Sequence, residues 1–435
     1  MTNSKVYDLI GIGFGPANVA LAIALEEEAD ANLRAVFLEK SPVPQWQENM
    51  LLTGSDIQHH PVRDLVSLRN PRSRYSFINY LHENRRLIEH LNLPTPFPLR
   101  TEYADYVSWV RRNLTTRADY GVSVVHLGFD PASDLYQVTT SAREVILAQQ
   151  ISLGPGRSPL IPGQFAGLLD SRRRVVHLTD YLPAVRTFDP RTDGRIGIVG
   201  GSQSAVELAL DIRRRFPSAV VDILTRSWSL RAKDHSPFSE EVYTPGFTDY
   251  YHGSSKAARR RLDRFTRPTN YSAADLDVLE RLYVELYEDK LGGRVRTRIY
   301  GDTEILDATT PSDDTVVLAT RNATTGEHDE LVFDRIVLAT GFRDMGSNPD
   351  NEHHHPLLEH VHRQLRTDAE GDLVVERDYS VHPVAGTAPI YLNGLCESTH
   401  GIGDSGSFSL LSLRAEVIAR SIIETRDRTP LTVTA

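Results

Sequence analysis

The sequence predicts an α/β fold: two Rossmann-like dinucleotide-binding domains with a small helical substrate region. Three observations carry this. Asp8–Leu25 reads DLIGIGFGPANVALAIAL, a strand, a glycine turn and an apolar helix. Arg195–Arg214 repeats the pattern, with the turn GGSQSA between strand and helix. Residues 237–300 break the strand–helix alternation and are helical and aromatic in character.

In the first motif, Gly11 is expected to allow the turn. Gly13 lets the backbone approach a pyrophosphate, which sits at the N-terminus of the following helix. Gly15 completes the turn. Pro16 stands where the strict G-x-G-x-x-G pattern has its last glycine, and it fits the first helical turn, where its missing N–H costs nothing. The next strand, Arg34–Glu39, ends in Glu39, the acid expected to hold a ribose hydroxyl.

The segment that follows, SPVPQWQENMLLTGSDIQHHPVRDLVSLRNPRSRYSF, is too polar and proline-rich for continuous regular structure. A long irregular stretch inside a compact domain is usually functional. Residues 78–91 and 102–117 read as amphipathic helices, 122–140 as a hairpin, and Glu144–Leu153 as a strand ending in Gly154-Pro-Gly156.

In the second motif, Arg195–Val199 is the strand and Val206–Arg214 the helix. Gly200, Ser202, Gln203 and Ser204 are the candidate cofactor contacts, Ser202 standing where the middle glycine belongs. The next strand, Val220–Leu224, runs into Thr225-Arg226 rather than an acid. An arginine there favours a 2′-phosphate, hence NADP. The strand Asp334–Gly341 ends in Ala-Thr340-Gly341, a crossing point typical of two-dinucleotide flavoproteins. Between the two, the aromatics Tyr243, Phe247, Tyr250, Tyr251, Tyr271, Tyr283 and Tyr287 are read chiefly as core.

The chain has 435 residues and a formal net charge of −10 without a basic stripe, so nucleic acid is not an expected partner. No apolar run reaches membrane-span length, and the polar first residues carry no signal-peptide pattern, so a cytoplasmic enzyme is expected. The single cysteine, Cys396, excludes an internal disulfide, a cysteine-based metal cluster and the cysteine pair of a flavin disulfide reductase. No metal site is expected.

The motifs together resemble the class B flavoprotein N-hydroxylating monooxygenases, the L-ornithine and L-lysine N-monooxygenases of siderophore and related natural-product biosynthesis. The resemblance rests on GIGFGPANVALA, RDLVSLRNPRSRYSFINYL from Arg63, GGSQSAVE from Gly200, PTNYS from Pro268, LATGF from Leu338 and THGIGD from Thr399, and covers nearly the whole chain. It implies FAD, NADPH and O2, oxygen transfer from a C4a-hydroperoxyflavin to a neutral primary amine, and a homo-oligomer, tetramer or dimer. It implies an FAD domain from residues 1–165 and 378–435, an NADPH domain from 166–236 and 301–377, and a substrate region at 237–300. It places Gln58 and Trp46 beside the flavin, Asn270 close to both NADP⁺ and the amine, and Ser409 against the substrate, with Ser405 and Ser407 as competitors. His400 is read as structural.

Three positions depart from the family. Gln47 replaces a histidine after Trp46. Arg63 replaces the lysine that binds the substrate carboxylate; it stays cationic and can grip a carboxylate bidentately. Glu240 replaces an asparagine, and a buried carboxylate needs a cation. Glu240 either clamps a substrate ammonium, pairs with Arg63, or binds the remote ammonium of a diamine. His59 and His60 are also unusual there. The resemblance implies N-hydroxylation of the side-chain amine of free ornithine or lysine. The alternatives are an aliphatic diamine such as putrescine or cadaverine, another amino acid such as aspartate, and a non-oxygenating flavin-binding reductase or binding protein.

Overall fold

The computed structural model describes residues 6–28, 33–169, 173–189, 194–348, 350–404 and 406–428. The first strand–turn–helix unit is β1 (Val6–Ile12), α1 (Pro16–Glu27) and β2 (Ala35–Glu39). Helices α2 (Phe77–Glu83), α3 (Leu87–Leu91) and α4 (Arg100–Asn113) follow. Next come β3 (Ala118–Tyr120), the hairpin β4 (Val124–Asp130) and β5 (Leu135–Thr140), and β6 (Val145–Leu153). β7 (Val175–His177) and α5 (Tyr181–Val185) lead into the second unit, β8 (Arg195–Val199), α6 (Gln203–Arg215) and β9 (Val220–Leu224). Helices α7 (Pro245–His252), α8 (Lys256–Thr266) and α9 (Leu276–Leu291) precede β10 (Thr297–Tyr300), β11 (Thr303–Ser312), β12 (Thr315–Asn322), β13 (His328–Phe333) and β14 (Arg335–Leu338). The chain returns through β15 (Ser380–Val381), β16 (Ile390–Leu392), α10 (Glu397–His400) and α11 (Leu411–Arg428).

The first sheet runs β15-β16-β6-β1-β2-β3, with the β4–β5 hairpin attached to β6. Both ends of the described chain therefore build one sheet. Helix α1 is apolar around its whole circumference, so it must be covered on both sides. It packs against α11, and Val19, Leu21 and Ile23 are fully buried. The second sheet is parallel, β10-β9-β8-β14-β7, as strand–helix–strand units require. Its core gathers Ile196, Ile198, Val206, Leu208, Val221 and Ile223. A three-stranded antiparallel sheet, β11-β12-β13, stands beside it.

Several local readings change. Residues 78–91 form two helices, because the chain turns at Arg85, whose φ is +57°. The helix read over 102–117 stops at Asn113, and its last residues feed β3. Helix α6 starts at Gln203, earlier than expected, with Ser202 as its N-cap in ordinary extended backbone. Thr297–Tyr300, inside the stretch read as helical, is the edge strand of the second sheet. Tyr250, Tyr283 and Tyr287 are exposed, while Tyr251 is buried. His400 is buried and stacked on Tyr379, as a structural residue would be. Among the described residues no helix is long and apolar enough to cross a membrane.

Candidate active site

The glycines of the first turn divide their labour differently from the expectation. Gly11 lies inside β1, where a Cβ would stand 2.1 Å from the Phe37 ring, so it serves strand packing rather than the turn. Gly13 makes the turn: its φ is +79°, and a Cβ would meet the Gly154 carbonyl oxygen at 2.6 Å. Gly15 caps α1 with no side-chain cap, and nothing lies within 4 Å of where its Cβ would be. The helix N-terminus is thus left open for an anion. Glu39 ends β2, nearly buried. Its carboxylate accepts from the Phe14 N–H at 2.7 Å and the Ser41 N–H at 2.8 Å, one on each oxygen, so each keeps a lone pair for a ribose hydroxyl. Two buried nitrogens in the chain's aromatic core, the Arg111 Nε donor and the His59 Nε2 acceptor, have no partner among the described residues. An open helix end, an acid with spare acceptors and an unpartnered guanidinium N–H fit the expected FAD.

The second turn fits a second dinucleotide. Gly200 has φ +139°, and a Cβ there would reach the Ala339 carbonyl oxygen at 2.4 Å. Ser204 is partly buried in the first turn of α6. Arg226 is exposed just past β9, with no partner among the described residues, so its guanidinium is available to a phosphate. Thr340 donates to the Leu160 carbonyl at 2.5 Å, and Leu160 N–H donates to the Gly341 carbonyl at 3.0 Å. The A-T-G segment is thereby stitched to the irregular segment that leaves the first sheet after β6.

The irregular segment after Glu39 is held by specific contacts. The buried Asp64 carboxylate accepts from the N–H groups of Val66, Ser67 and Phe77 at 2.9, 2.6 and 2.7 Å, which fixes the loop that presents Arg63. Gln58 sits in left-handed backbone at φ +59°, and its N–H donates to Asp56 Oδ1 at 2.9 Å. Burial pushes the Asp56 carboxyl up to about 6. Trp46 packs edge-on against Phe408, centroids 5.3 Å apart, and His59 lies 5.0 Å from the same ring. Burial pushes the His59 imidazole down to about 4, so it is neutral at physiological pH. His60 is exposed.

Arg63 reaches two chain-distant groups. Its Nη1 donates to Ser409 Oγ at 3.1 Å and to Glu240 Oε2 at 3.3 Å. Its guanidinium lies 5.9 Å from the Tyr243 ring centroid, and the Tyr243 hydroxyl is 3.4 Å from Thr269 Oγ1, beside Asn270. Among the three serines considered, Ser409 is the one on Arg63. Ser407 instead accepts from the Ser409 N–H at 3.1 Å, and Ser405 lies outside the described residues. The Asn270 side chain makes no hydrogen bond among the described residues.

The sequence reading missed three members of this site: Lys233, His235 and Asp275. His235 Nδ1 faces Glu240 Oε1 at 3.4 Å, and its Nε2 faces Asp275 Oδ1 at 2.9 Å. Lys233 pairs with the same Asp275 oxygen at 3.2 Å and donates to Gln58 Oε1. The hydrogen bonds that its ring donates to Asp275 and Glu240 push His235 up to about 9, so it is a cation at neutral pH. His235, by its hydrogen bond, and Arg63, by its charge, hold the Glu240 carboxyl below its ordinary range. Burial alone would raise Asp275, but His235 and Lys233 hold it low as well. Three cations thus alternate with two carboxylates in one connected network. The available signal was the run Lys233-Asp234-His235, ionisable residues packed just before Glu240.

The chain is similar to proteins of known activity. The model of the L-lysine 6-monooxygenase/L-ornithine 5-monooxygenase family matches residues 5–344. The L-ornithine N(5)-monooxygenase of Pseudomonas aeruginosa is 36% identical over 434 residues, covering 96% of this chain and 94% of that one. The ornithine N-hydroxylase of Kutzneria sp. 744, solved with reduced FAD, NADP⁺ and L-ornithine, is 32% identical with a TM-score of 0.89, covering 97% of this chain and 100% of its own. The L-lysine 6-monooxygenase of Pseudomonas syringae is 32% identical with a TM-score of 0.85, covering 96% and 99%.

Proposed function

From the premise that this chain belongs to the L-lysine 6-monooxygenase/L-ornithine 5-monooxygenase family, we propose that it N-hydroxylates the side-chain amine of free ornithine or lysine, with FAD, NADPH and O2. The observation that carries the substrate class is the Arg63 guanidinium, held by Ser409 and Glu240 through Nη1 alone, with its other N–H groups uncommitted among the described residues. A carboxylate is the natural complement of such a fork.

Bound FAD, reduced by NADPH, would supply the activation of O2, from which the transferred oxygen atom comes. The residues of this chain do the rest. Gly13, Gly15, Pro16 and Glu39 hold the FAD at the first turn, with Trp46 and Gln58 toward its flavin end. Gly200, Ser202, Ser204, Arg226, Thr340 and Gly341 hold the NADPH. Gln203 acts at one remove, because its side-chain amide is already committed: Oε1 accepts from the Asp275 N–H at 2.7 Å, and Nε2 donates to Glu207 at 3.0 Å. Arg63 and Ser409 anchor the substrate carboxylate. Asn270, with an uncommitted amide, orients the amine to be oxidised. Glu240 takes the role of fixing Arg63. Its two oxygens face two cations of the chain, Arg63 and His235, so its charge is already compensated and a diamine ammonium would have to compete for it.

The test is isotopic. Purified protein with FAD, NADPH and ¹⁸O2 should convert ornithine or lysine to a hydroxylamine carrying one labelled oxygen. NADPH consumption with no labelled amino acid would defeat the proposal.

A further inference from the structure

Lys233 is buried to within a few per cent of its side-chain surface, at 3% exposure, in a site where a lysine is costly unless it is paired. Its two partners belong to different parts of the molecule. One is Gln58 Oε1, in the irregular segment of the first domain, and the other is Asp275 Oδ1, at the start of α9. Asp275 carries the link onward, because its backbone N–H donates to Gln203 Oε1 at 2.7 Å in the second nucleotide turn. The strand-like pairing of Ala232 with Ala274 sets this arrangement. Lys233 N–H donates to the Ala274 carbonyl at 2.9 Å, and Gln203 N–H donates to the Ala273 carbonyl at 3.0 Å.

We infer that Lys233 is a positioning residue for N-hydroxylation: it fixes which end of the Gln58 amide faces the flavin and ties that amide to the NADPH turn. This rests on the placement of Gln58 and Gln203 argued above. An ammonium has donors only, so it can pair with the amide oxygen of Gln58 and not with its nitrogen. With Oε1 taken, the Nε2 group is the one left for the site, and Gln58 acts there as a donor. Its left-handed backbone, φ +59°, and its N–H bond to Asp56 leave it little other freedom. The chain Gln58–Lys233–Asp275–Gln203 then makes the donor on one cofactor and the turn under the other a single connected element.

The experiment compares Lys233→Met, Lys233→Arg, Gln58→Ala and Gln58→Glu with the wild type, in three measurements: FAD retained on purification, NADP⁺ dissociation constant from flavin fluorescence, and hydroxylamine formed per NADPH oxidised. Lys233→Met should keep its FAD, lower hydroxylamine per NADPH about tenfold and weaken NADP⁺ about fivefold, with Lys233→Arg recovering most of both. Gln58→Ala and Gln58→Glu should lose the same coupling but leave NADP⁺ affinity within about twofold, and adding Lys233→Met to Gln58→Ala should lower coupling no further. A merely structural lysine would not divide its effects this way. Wild-type coupling and wild-type NADP⁺ affinity in Lys233→Met, or multiplying losses in the double variant, would overturn the inference. If Lys233→Met does not fold, Asp275→Ala removes the Lys233 partner and cuts the same link from the other side. It should weaken NADP⁺ similarly, and unchanged affinity there counts against the link. Wild-type protein that makes no hydroxylamine would fail the functional reading alone, and the NADP⁺ titrations would still decide the role of Lys233.

Discussion

The Arg63 guanidinium and the Glu240 carboxylate, 177 positions apart in the chain, meet at 3.3 Å and leave each other only partly occupied. The pair is about 30% exposed on each side, at 31% and 29%, so its own contribution to stability is small. Its consequence is geometric. Glu240 holds the Arg63 fork in place, and the cationic His235 offsets the Glu240 charge, so that Arg63 is not fully neutralised by it.

Arg63→Ala should raise KM for the amino acid by about ten- to a hundredfold while NADPH-dependent flavin reduction survives. Arg63→Lys should recover part of the loss, since charge is kept and the fork is not. Steady-state kinetics alongside stopped-flow reduction would check this. An unchanged KM in Arg63→Ala would remove the carboxylate role.

Arg226→Ala should weaken NADPH about tenfold or more and leave NADH nearly untouched, because only NADPH carries the 2′-phosphate. Dissociation constants for both nucleotides, measured on one preparation, decide it. Equal weakening would mean that Arg226 does not read that phosphate.

The site has a pH signature at its alkaline edge. His235 is raised in the folded protein, so its ionic contacts with Asp275 and Glu240 are present in full below its ordinary value and fade as pH rises through about 9. KM for the amino acid should climb across that interval, and His235→Asn should flatten the climb. A wild-type profile that is flat to pH 10 would contradict the assignment of charge.

His59 works in the opposite direction. Its folded-state value is depressed to about 4, so the unfolded chain takes up a proton first as pH falls. Stability is complete above about pH 6.5 and declines toward pH 4, by up to about 3 kcal/mol. Denaturant unfolding across that range should show a shallower slope in His59→Gln. Identical slopes would mean that His59 titrates normally.

The two glycines of the first turn, Gly13 and Gly15, should separate by substitution. Gly13→Ala forces a Cβ onto the Gly154 carbonyl at φ +79°, and should cost several kcal/mol or abolish folding. Gly15→Ala meets no atom within 4 Å, so it should fold normally and lose FAD affinity instead. Melting temperatures with and without added FAD distinguish the two; a stable, FAD-replete Gly13→Ala would refute the division of roles.

What could be read from the sequence was what local backbone chemistry dictates. Pro16 at the first helical position, Glu39 closing the second strand and Arg226 in place of an acid each follow from a spacing of a few residues to a turn. Gly11 was visible as part of a motif, but its role depends on Phe37, which arrives through the pairing of β1 with β2. Lys233 stood in a visible run of ionisable residues, Lys233-Asp234-His235, but nothing local named its partners. It meets Gln58 across 175 positions, and only the bridge between Ala232 and Ala274 brings Asp275 to the same point. The choice among Ser405, Ser407 and Ser409 was likewise a question of loop path. Glu240 was flagged for needing a cation, yet its partners Arg63 and His235 could be chosen only once the loops were placed.

The measurement that bears most directly on the substrate reading is hydroxylamine formed per NADPH oxidised, run on two matched pairs: ornithine against putrescine and lysine against cadaverine. Members of each pair present the same amine and differ by the carboxylate that Arg63 is proposed to bind. Tightly coupled product from ornithine or lysine, with its diamine partner at least about tenfold poorer in kcat/KM, is the expected result. Equal or better turnover of the diamines would contradict it and return Glu240 to the role of ammonium partner.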